Sequence, residues 1–460
     1  MKKQPNILFL GIDSCRATRM SLCGYHRKNT PHLEEMARKG VNFTHCFSPS
    51  IPTPPGYSSL LTGRDCFGTG IVTLRNVPEL PPGVTLQEVL AGQGYNSTCI
   101  GFGDGAYTHG FQNYIEYKGW GADRDDGKSH KAENLNDAAL PELKRLAGEG
   151  KPFCLFLRHM DPHSPYLPPA PFDRMFYNGD ECDGNTRSLD GLWAFKPFAT
   201  YFREWFPAGC TDARYINAQY DGAVAYMDAC IQQLFTALRE LNIEGETIVV
   251  ITSDHGETLD EHDCWYDHHG LYEPTLRVPL AITYPGRIPA GLEFDDFVQQ
   301  KDVMPTLLEL LGVKTRLKFD GRSLSAFWTG ARRTPEPEFY LTEATWMRKH
   351  GWRTPEWKLI AALEPDLHFK PAIELYNLVQ DPLELDNVAE QNPEVVAMLQ
   401  ARMDRHIAAR KKAWKTQNPV EAAAETWNGL GRPYASSEEA YNDMFIGNPD
   451  AANKLQAQKK

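Results

Sequence analysis

Four stretches of the chain are apolar on consecutive positions instead of alternating with polar ones: NILFLGI (6–12), NSTCIGF (96–102), FCLFLR (153–158) and TIVVIT (247–252). Strands with this texture are covered on both faces, as in a parallel sheet. Between them, apolar positions recur at helical spacing in TPHLEEMARKG (30–40), TLQEVLAGQG (85–94) and DGAVAYMDACIQQLFTALREL (221–241). Alternating strands and helices predict an α/β fold with a doubly wound, mainly parallel sheet. Ligands of such sheets bind beyond the carboxyl ends of the strands. The polar residues that follow each apolar run are therefore the candidates for chemistry.

After about residue 345 the texture shifts to short strand-like pieces and then one long amphipathic helix, which predicts a smaller α+β domain. The expected division is 1–345 for a catalytic α/β domain, 346–413 for the smaller domain and 414–460 for a C-terminal extension. That extension, rich in Ala, Asn and Gln, reads either as an arm over a neighbouring subunit of a homo-oligomer or as a loose tail.

The chain of 460 residues carries a net charge of −12, which argues against a nucleic-acid or anionic-membrane surface. An anionic substrate must then be held by local devices: a metal ion, a helix N-terminus or a few histidines. The opening MKKQPNILFLGIDSC has a basic start and an apolar run, but the run is strand-length and ends at Asp13, so it reads as a core strand rather than a signal peptide. No stretch approaches the roughly 20 apolar residues of a membrane span. The ten cysteines lack paired spacing, which with the missing secretion signal suggests a reducing cytoplasm.

Asp13 follows the first apolar run and Asp254-His255 follows the last. Two carboxylates and an imidazole at neighbouring strand ends make a site for a divalent metal. Asp13 alone also suits a cap or turn. The segment Thr53-Pro54-Pro55-Gly56-Tyr57-Ser58-Ser59-Leu60-Leu61-Thr62-Gly63 has the grammar of a short helix, with Thr53 as N-cap, prolines at the first turn and Gly63 past the end. Thr53 then either caps this helix or stands as a nucleophile where free N–H groups and the helix dipole favour an anion. His159 and His163 follow the 153–158 run, and His262, His268 and His269 follow Asp254-His255. Imidazoles there can hold an anionic oxygen or protonate a leaving one.

These segments, in this order, resemble the sulfatase-like members of the alkaline phosphatase superfamily over nearly the whole chain. PNILFLGIDSCRATRMSLCGY resembles the family's opening strand with its metal-binding aspartate, TPPGYSSLLTGR its nucleophile helix, MDPHSPYLPP its histidine-bearing loop and TSDHGETLDEH its second metal segment. LYEPTLRVPLAITYPG, QQKDVMPTLLELLGV and ELYNLVQDPLELDNVAE resemble the later elements. The resemblance implies metal ligation by Asp13, Asp254 and His255 with Thr53 completing the shell as nucleophile. It also implies catalytic contacts from His163 and from His268, which stands where relatives commonly have a lysine. His269, one residue on in DHHG, is the alternative for that role, and His159 is a further substrate-binding candidate.

The chain departs from the family at Thr53. Sulfatases of this type oxidise a Cys or Ser within Cys/Ser-x-Pro-x-Arg to formylglycine, whereas the matching residues here are Thr53-Pro54-Pro55-Gly56-Tyr57. No formylglycine is expected, and the motif's arginine is replaced by Tyr57. Phe102-Gly103-Asp104 stands where Lys-x-His is usual, and Ser14 replaces a second aspartate. Formylglycine hydrate expels sulfate by collapsing to an aldehyde, an exit a plain alcohol lacks. A phosphothreonine can instead be cleaved by in-line attack of water. The expected activity is therefore metal-dependent hydrolysis of a small-molecule phosphate or phosphonate ester, of phosphodiesterase or phosphonate monoester hydrolase type. The alternatives are a sulfuric ester hydrolase without formylglycine, a phosphoryl or sulfuryl transferase, and a non-catalytic binding protein. Mn, Zn and Ca all suit the ligand set; one metal site is favoured, with a second open at Asp161, His163 and a downstream histidine.

Overall fold

The computed structural model describes residues 4–423 except 75–76, 104, 106–107, 122–125, 332–336, 346, 365 and 367. The expected C-terminal extension is thus described only to Ala423, where it includes a short helix, Pro419–Ala422. Asp104 also lies outside the described residues.

The four apolar runs form adjacent strands at the centre of a nine-stranded sheet, in the order Thr247–Ser253, Asn6–Ile12, Phe153–His159 and Asn96–Gly101. All three pairings among them are parallel. Their carboxyl ends therefore share one edge, as the α/β reading requires. Arg277–Thr283 extends the sheet as an antiparallel strand between Thr247–Ser253 and Val41–Phe47.

Side-chain alternation splits the core in two. Leu8, Leu10, Ile12, Leu155 and Leu157 pack on one face with residues of helices Lys131–Gly148 and Ala213–Glu240. Ile7, Phe9, Cys154 and Phe156 pack on the other with Tyr57, Leu60 and Leu61 of helix Thr53–Thr62. Every residue of that ten-residue helix is buried. It is a central pillar rather than a surface helix, and it ends at Gly63 with φ 64°, where a Cβ would also meet the Phe319 ring at 2.8 Å.

A second sheet has five strands, Ile373–Asn377, Trp357–Ala362, Arg348–Arg353, Phe339–Ala344 and Ser50–Ile51. Its strand Phe339–Ala344 lies on the N-terminal side of the expected division at 345, yet it pairs throughout its length with Arg348–Arg353 and so belongs to this sheet. The helix Pro393–Trp414 supplies Leu399, Met403 and Ile407 to the core of this domain. The edge pair Ser50–Ile51 comes from the chain leading into Thr53 and runs parallel to Thr342–Glu343. Among the described residues no helix is long and apolar enough to cross a membrane.

Candidate active site

The strand ends Asn6–Ile12 and Thr247–Ser253 pair in register from Asn6↔Thr247 to Ile12↔Ser253, so Asp13 and Asp254 emerge side by side. Both are fully buried. Ligand atoms of Asp13, Asp254 and His255 lie within 4.8 Å of one another. The helix start is pressed against them at Gly56, where a Cβ would stand 2.5 Å from the Asp254 carbonyl oxygen. A residue with a side chain at 56 would push Thr53 out of reach.

Thr53 is not the cap that the sequence pattern predicts. Pro52 occupies the N-cap position, Thr53 is the first helical residue and no side chain caps the helix. The Thr53 hydroxyl instead lies 3.1 Å from His255 Nε2. His255 Nδ1 lies 2.8 Å from the Gly256 carbonyl oxygen, and only its protonated form can bond there, so in the neutral ring Nε2 presents a lone pair. Burial holds the imidazole neutral by pushing its pKa down to about 3. The expected set of free N–H groups is reduced: Pro54 and Pro55 have none, and the Gly56 N–H donates to the Pro52 carbonyl at 3.3 Å. The helix dipole remains the anion-favouring element there.

The two carboxylates are electrostatically unlike. Burial raises the Asp13 carboxyl, but the Arg158 guanidinium together with the His163 and His255 rings outweighs it, and the pKa falls well below the usual range. Asp254 is pushed well above that range by burial and by the Asp13 charge. Asp254 Oδ2 is buried with no hydrogen-bond donor on it among the described residues. An orphaned carboxylate oxygen beside a second carboxylate and an imidazole lone pair fits a divalent cation.

The histidines separate by position. The His268 ring lies 4.6 Å from the His255 ring and 5.7 Å from that of His163, so His268 and His163 face the centre. His268 Nδ1 is 3.0 Å from Asp267 Oδ1 and 3.6 Å from Glu257 Oε1. Burial lowers its pKa, but the Asp267 and Glu257 carboxylates outweigh that and hold it well above the ordinary value. His163 directs Nδ1 at the Ser164 carbonyl, 2.8 Å away, and burial lowers its pKa to about 4. His269 turns elsewhere: its Nδ1 meets His368 Nε2 at 2.9 Å, toward the second domain. His159 also turns away. It shares a strand face with Leu155 and Leu157, opposite to Arg158, and its ring nitrogens have no hydrogen-bond partner among the described residues. The structure turns both His159 and His269 away from the Thr53 centre. Of the second-metal set, Asp161 is already engaged by Lys131 Nζ at 3.4 Å and by the Ala132 N–H at 2.9 Å. The other candidate ligand group among the described residues is Glu257, Asp267 and His268.

The family model for sulfatases matches residues 5–313, and the model for the N-sulphoglucosamine sulphohydrolase C-terminal region matches 260–412. The chain belongs to the sulfatase family. It is 23% identical over 520 residues to an N-acetylglucosamine-6-O-sulfatase of Bacteroides thetaiotaomicron, covering 93% of this chain and 90% of that one. It is 28% identical over 370 residues to the multifunctional alkaline phosphatase superfamily protein PehA of Trinickia caryophylli, covering 65% and 71%. The phosphonate monoester hydrolase of Agrobacterium radiobacter has the same fold, with a TM-score of 0.70 at 21% identity over 88% of this chain and 96% of that one. Sulfatases and phosphonate monoester hydrolases are hydrolases of sulfuric and phosphoric esters, and this chain is an enzyme of that kind.

Within this sulfatase-family site, sequence reasoning missed Arg158, Glu257 and Asp267. Each had a signal. Arg158 is a charge at the penultimate position of a buried strand that is apolar up to it, and Glu257 and Asp267 flank the histidines already singled out. A charge is not placed inside such segments unless it has a partner.

Proposed function

We propose that the protein hydrolyses a phosphate or phosphonate ester of a small organic alcohol, a diester or phosphonate monoester before a phosphate monoester, through a covalent phospho-Thr53 intermediate. The observation that carries this reading is the Thr53 hydroxyl, free of any capping bond and 3.1 Å from His255 Nε2 in a helix with no formylglycine precursor. Asp13, Asp254 and His255 would hold a divalent cation, which lowers the pKa of a nearby hydroxyl and neutralises an incoming anion. Thr53 Oγ1, having released its proton to solvent, attacks phosphorus as the bond to the leaving oxygen breaks. His268, beside His255 and within reach of the Asp267 and Glu257 carboxylates, would protonate that oxygen, with His163 next to it. Water then attacks phosphorus in phospho-Thr53, releasing the product and restoring the hydroxyl.

A sulfuric ester substrate is the second reading, favoured by the sulfatase family match itself. The test is turnover of p-nitrophenyl sulfate, p-nitrophenyl phosphate, p-nitrophenyl phenylphosphonate and bis-p-nitrophenyl phosphate with added Mn²⁺, Zn²⁺ or Ca²⁺, in wild type and Thr53→Ala. Phosphoryl turnover lost in Thr53→Ala is the expected result. Sulfate turnover that survives the substitution overturns both the nucleophile and the preference for phosphorus.

A further inference from the structure

Arg158 is the last but one residue of strand Phe153–His159 and is 7% exposed. Strand alternation turns it to the face of helix Thr53–Thr62. There its Nη2 and Nε donate to the same oxygen, Asp13 Oδ2, at 2.6 and 3.2 Å. Nη1 donates to the Phe102 carbonyl at 3.1 Å, and the guanidinium carbon sits 4.0 Å from the Phe102 ring centre and 5.8 Å from that of Tyr57. The group is therefore clamped at its donors and over its flat face. Tyr57 and Phe102 are two positions where the sequence resemblance implies a cation and this chain has an uncharged ring. The Arg158 guanidinium lies against both rings.

The charge balance explains why a cation belongs there. Two ionised carboxylates and one divalent ion sum to zero, so an anionic ester entering this buried centre would be desolvated without net compensation. A guanidinium is charged at every working pH and, through its fixed fork, orients the carboxylate it grips.

Resting on the phosphoryl reading above for its purpose but not for its geometry, we propose that Arg158 is the positioning residue of the centre: it fixes Asp13 for the cation and supplies, from a neighbouring strand, the positive charge absent at Tyr57 and Phe102. Outer-sphere partners of this kind typically change metal affinity or activity by about 10–100-fold when removed.

The measurement is binding of Mn²⁺ alone to the full chain, by competition with a chromophoric chelator, in wild type, Arg158→Gln, Arg158→Lys and Arg158→Ala, each first checked for cooperative thermal unfolding. Mn²⁺ affinity is expected to fall about 10–100-fold in Arg158→Gln and less in Arg158→Lys, which keeps the charge and loses the fork. Millimolar guanidinium is expected to restore affinity to Arg158→Ala, a rescue that a purely structural role would not show. Unchanged or tighter Mn²⁺ binding in folded Arg158→Gln overturns the proposal, because Arg158 would then act only as a charge opposing the cation or not at all. If Arg158→Gln does not fold, absence of both Arg158→Lys weakening and guanidinium rescue overturns it equally. Since no ester is present, these outcomes are independent of whether phosphoryl turnover is found.

Discussion

Thr53 Oγ1 and His255 Nε2 lie 3.1 Å apart although 202 positions separate them in the chain. The contact exists because Ser50–Ile51 is tied to Thr342–Glu343 in the second sheet while Asp254 emerges from the first. Thr53 is thus held at the seam of the two sheets, with Gly56 letting the helix touch the Asp254 backbone.

A nucleophile at this position leaves a covalent trace. Thr53→Ala is expected to lower kcat for phosphoryl esters on the order of a thousandfold or more, while Thr53→Ser retains a measurable rate. Acid-quenched wild type should carry a phosphoryl adduct on the peptide containing Thr53 by mass spectrometry. No adduct under saturating substrate would refute the covalent mechanism.

His268 and His269 are adjacent in sequence, but the His268 ring lies beside His255 whereas His269 Nδ1 meets His368. His268→Ala is expected to reduce kcat by about 10²–10⁴-fold for alkyl leaving groups and much less for p-nitrophenol, which departs without a proton. His269→Ala should lower the melting temperature without that dependence on the leaving group. Equal losses across leaving groups for His268→Ala would exclude it as the acid.

Lys131 Nζ is buried against Asp161 and donates to the carbonyls of His163 and Pro165 at 2.7 and 3.2 Å, fastening the loop that carries His163. Lys131→Met would leave the Asp161 carboxylate buried beside an apolar chain. The expected cost is about 3–5 kcal/mol, read by urea unfolding, and Lys131→Met with Asp161→Asn should recover part of it.

Asp228 caps the start of helix Pro31–Ala37, accepting from the His32 and Leu33 N–H groups at 3.0 and 2.8 Å. Burial nonetheless pushes its pKa up to about 7, from an unfolded value of about 4. The folded state therefore holds this proton more tightly. Its contribution to stability is full below about pH 4, declines as pH rises to about 7 and is flat beyond. In urea unfolding between pH 4.5 and 8, Asp228→Asn should lack this downward slope. Parallel pH profiles for the two proteins would contradict the assignment.

Much of the fold was legible because it rests on local pattern. Consecutive apolar positions at 6–12, 153–158 and 247–252 mark strands buried on both faces, and their parallel pairing makes Asp13 and Asp254 neighbours. The same reasoning gave 221–241 as a helix but not its start at Ala213, although Asp212 caps it and Ala213, Ile216 and Tyr220 carry the buried stripe upstream at helical spacing. His159 illustrates the opposite error. A histidine at a strand end was a sound candidate, but one position decides the face, and Arg158 rather than His159 looks at the Thr53 helix.

The sequence by itself determined the family and the α/β architecture, marked Asp13, Asp254 and His255 as candidate metal ligands and left no Cys or Ser at position 53, since each is written in residue type and spacing. Only the tertiary structure decided that Pro52 and not Thr53 heads the helix, that His268 and not His269 faces the centre, and that Arg158 grips Asp13. Those outcomes depend on side-chain direction and on contacts between segments far apart in the chain, quantities set by packing against neighbours and carried by no local pattern.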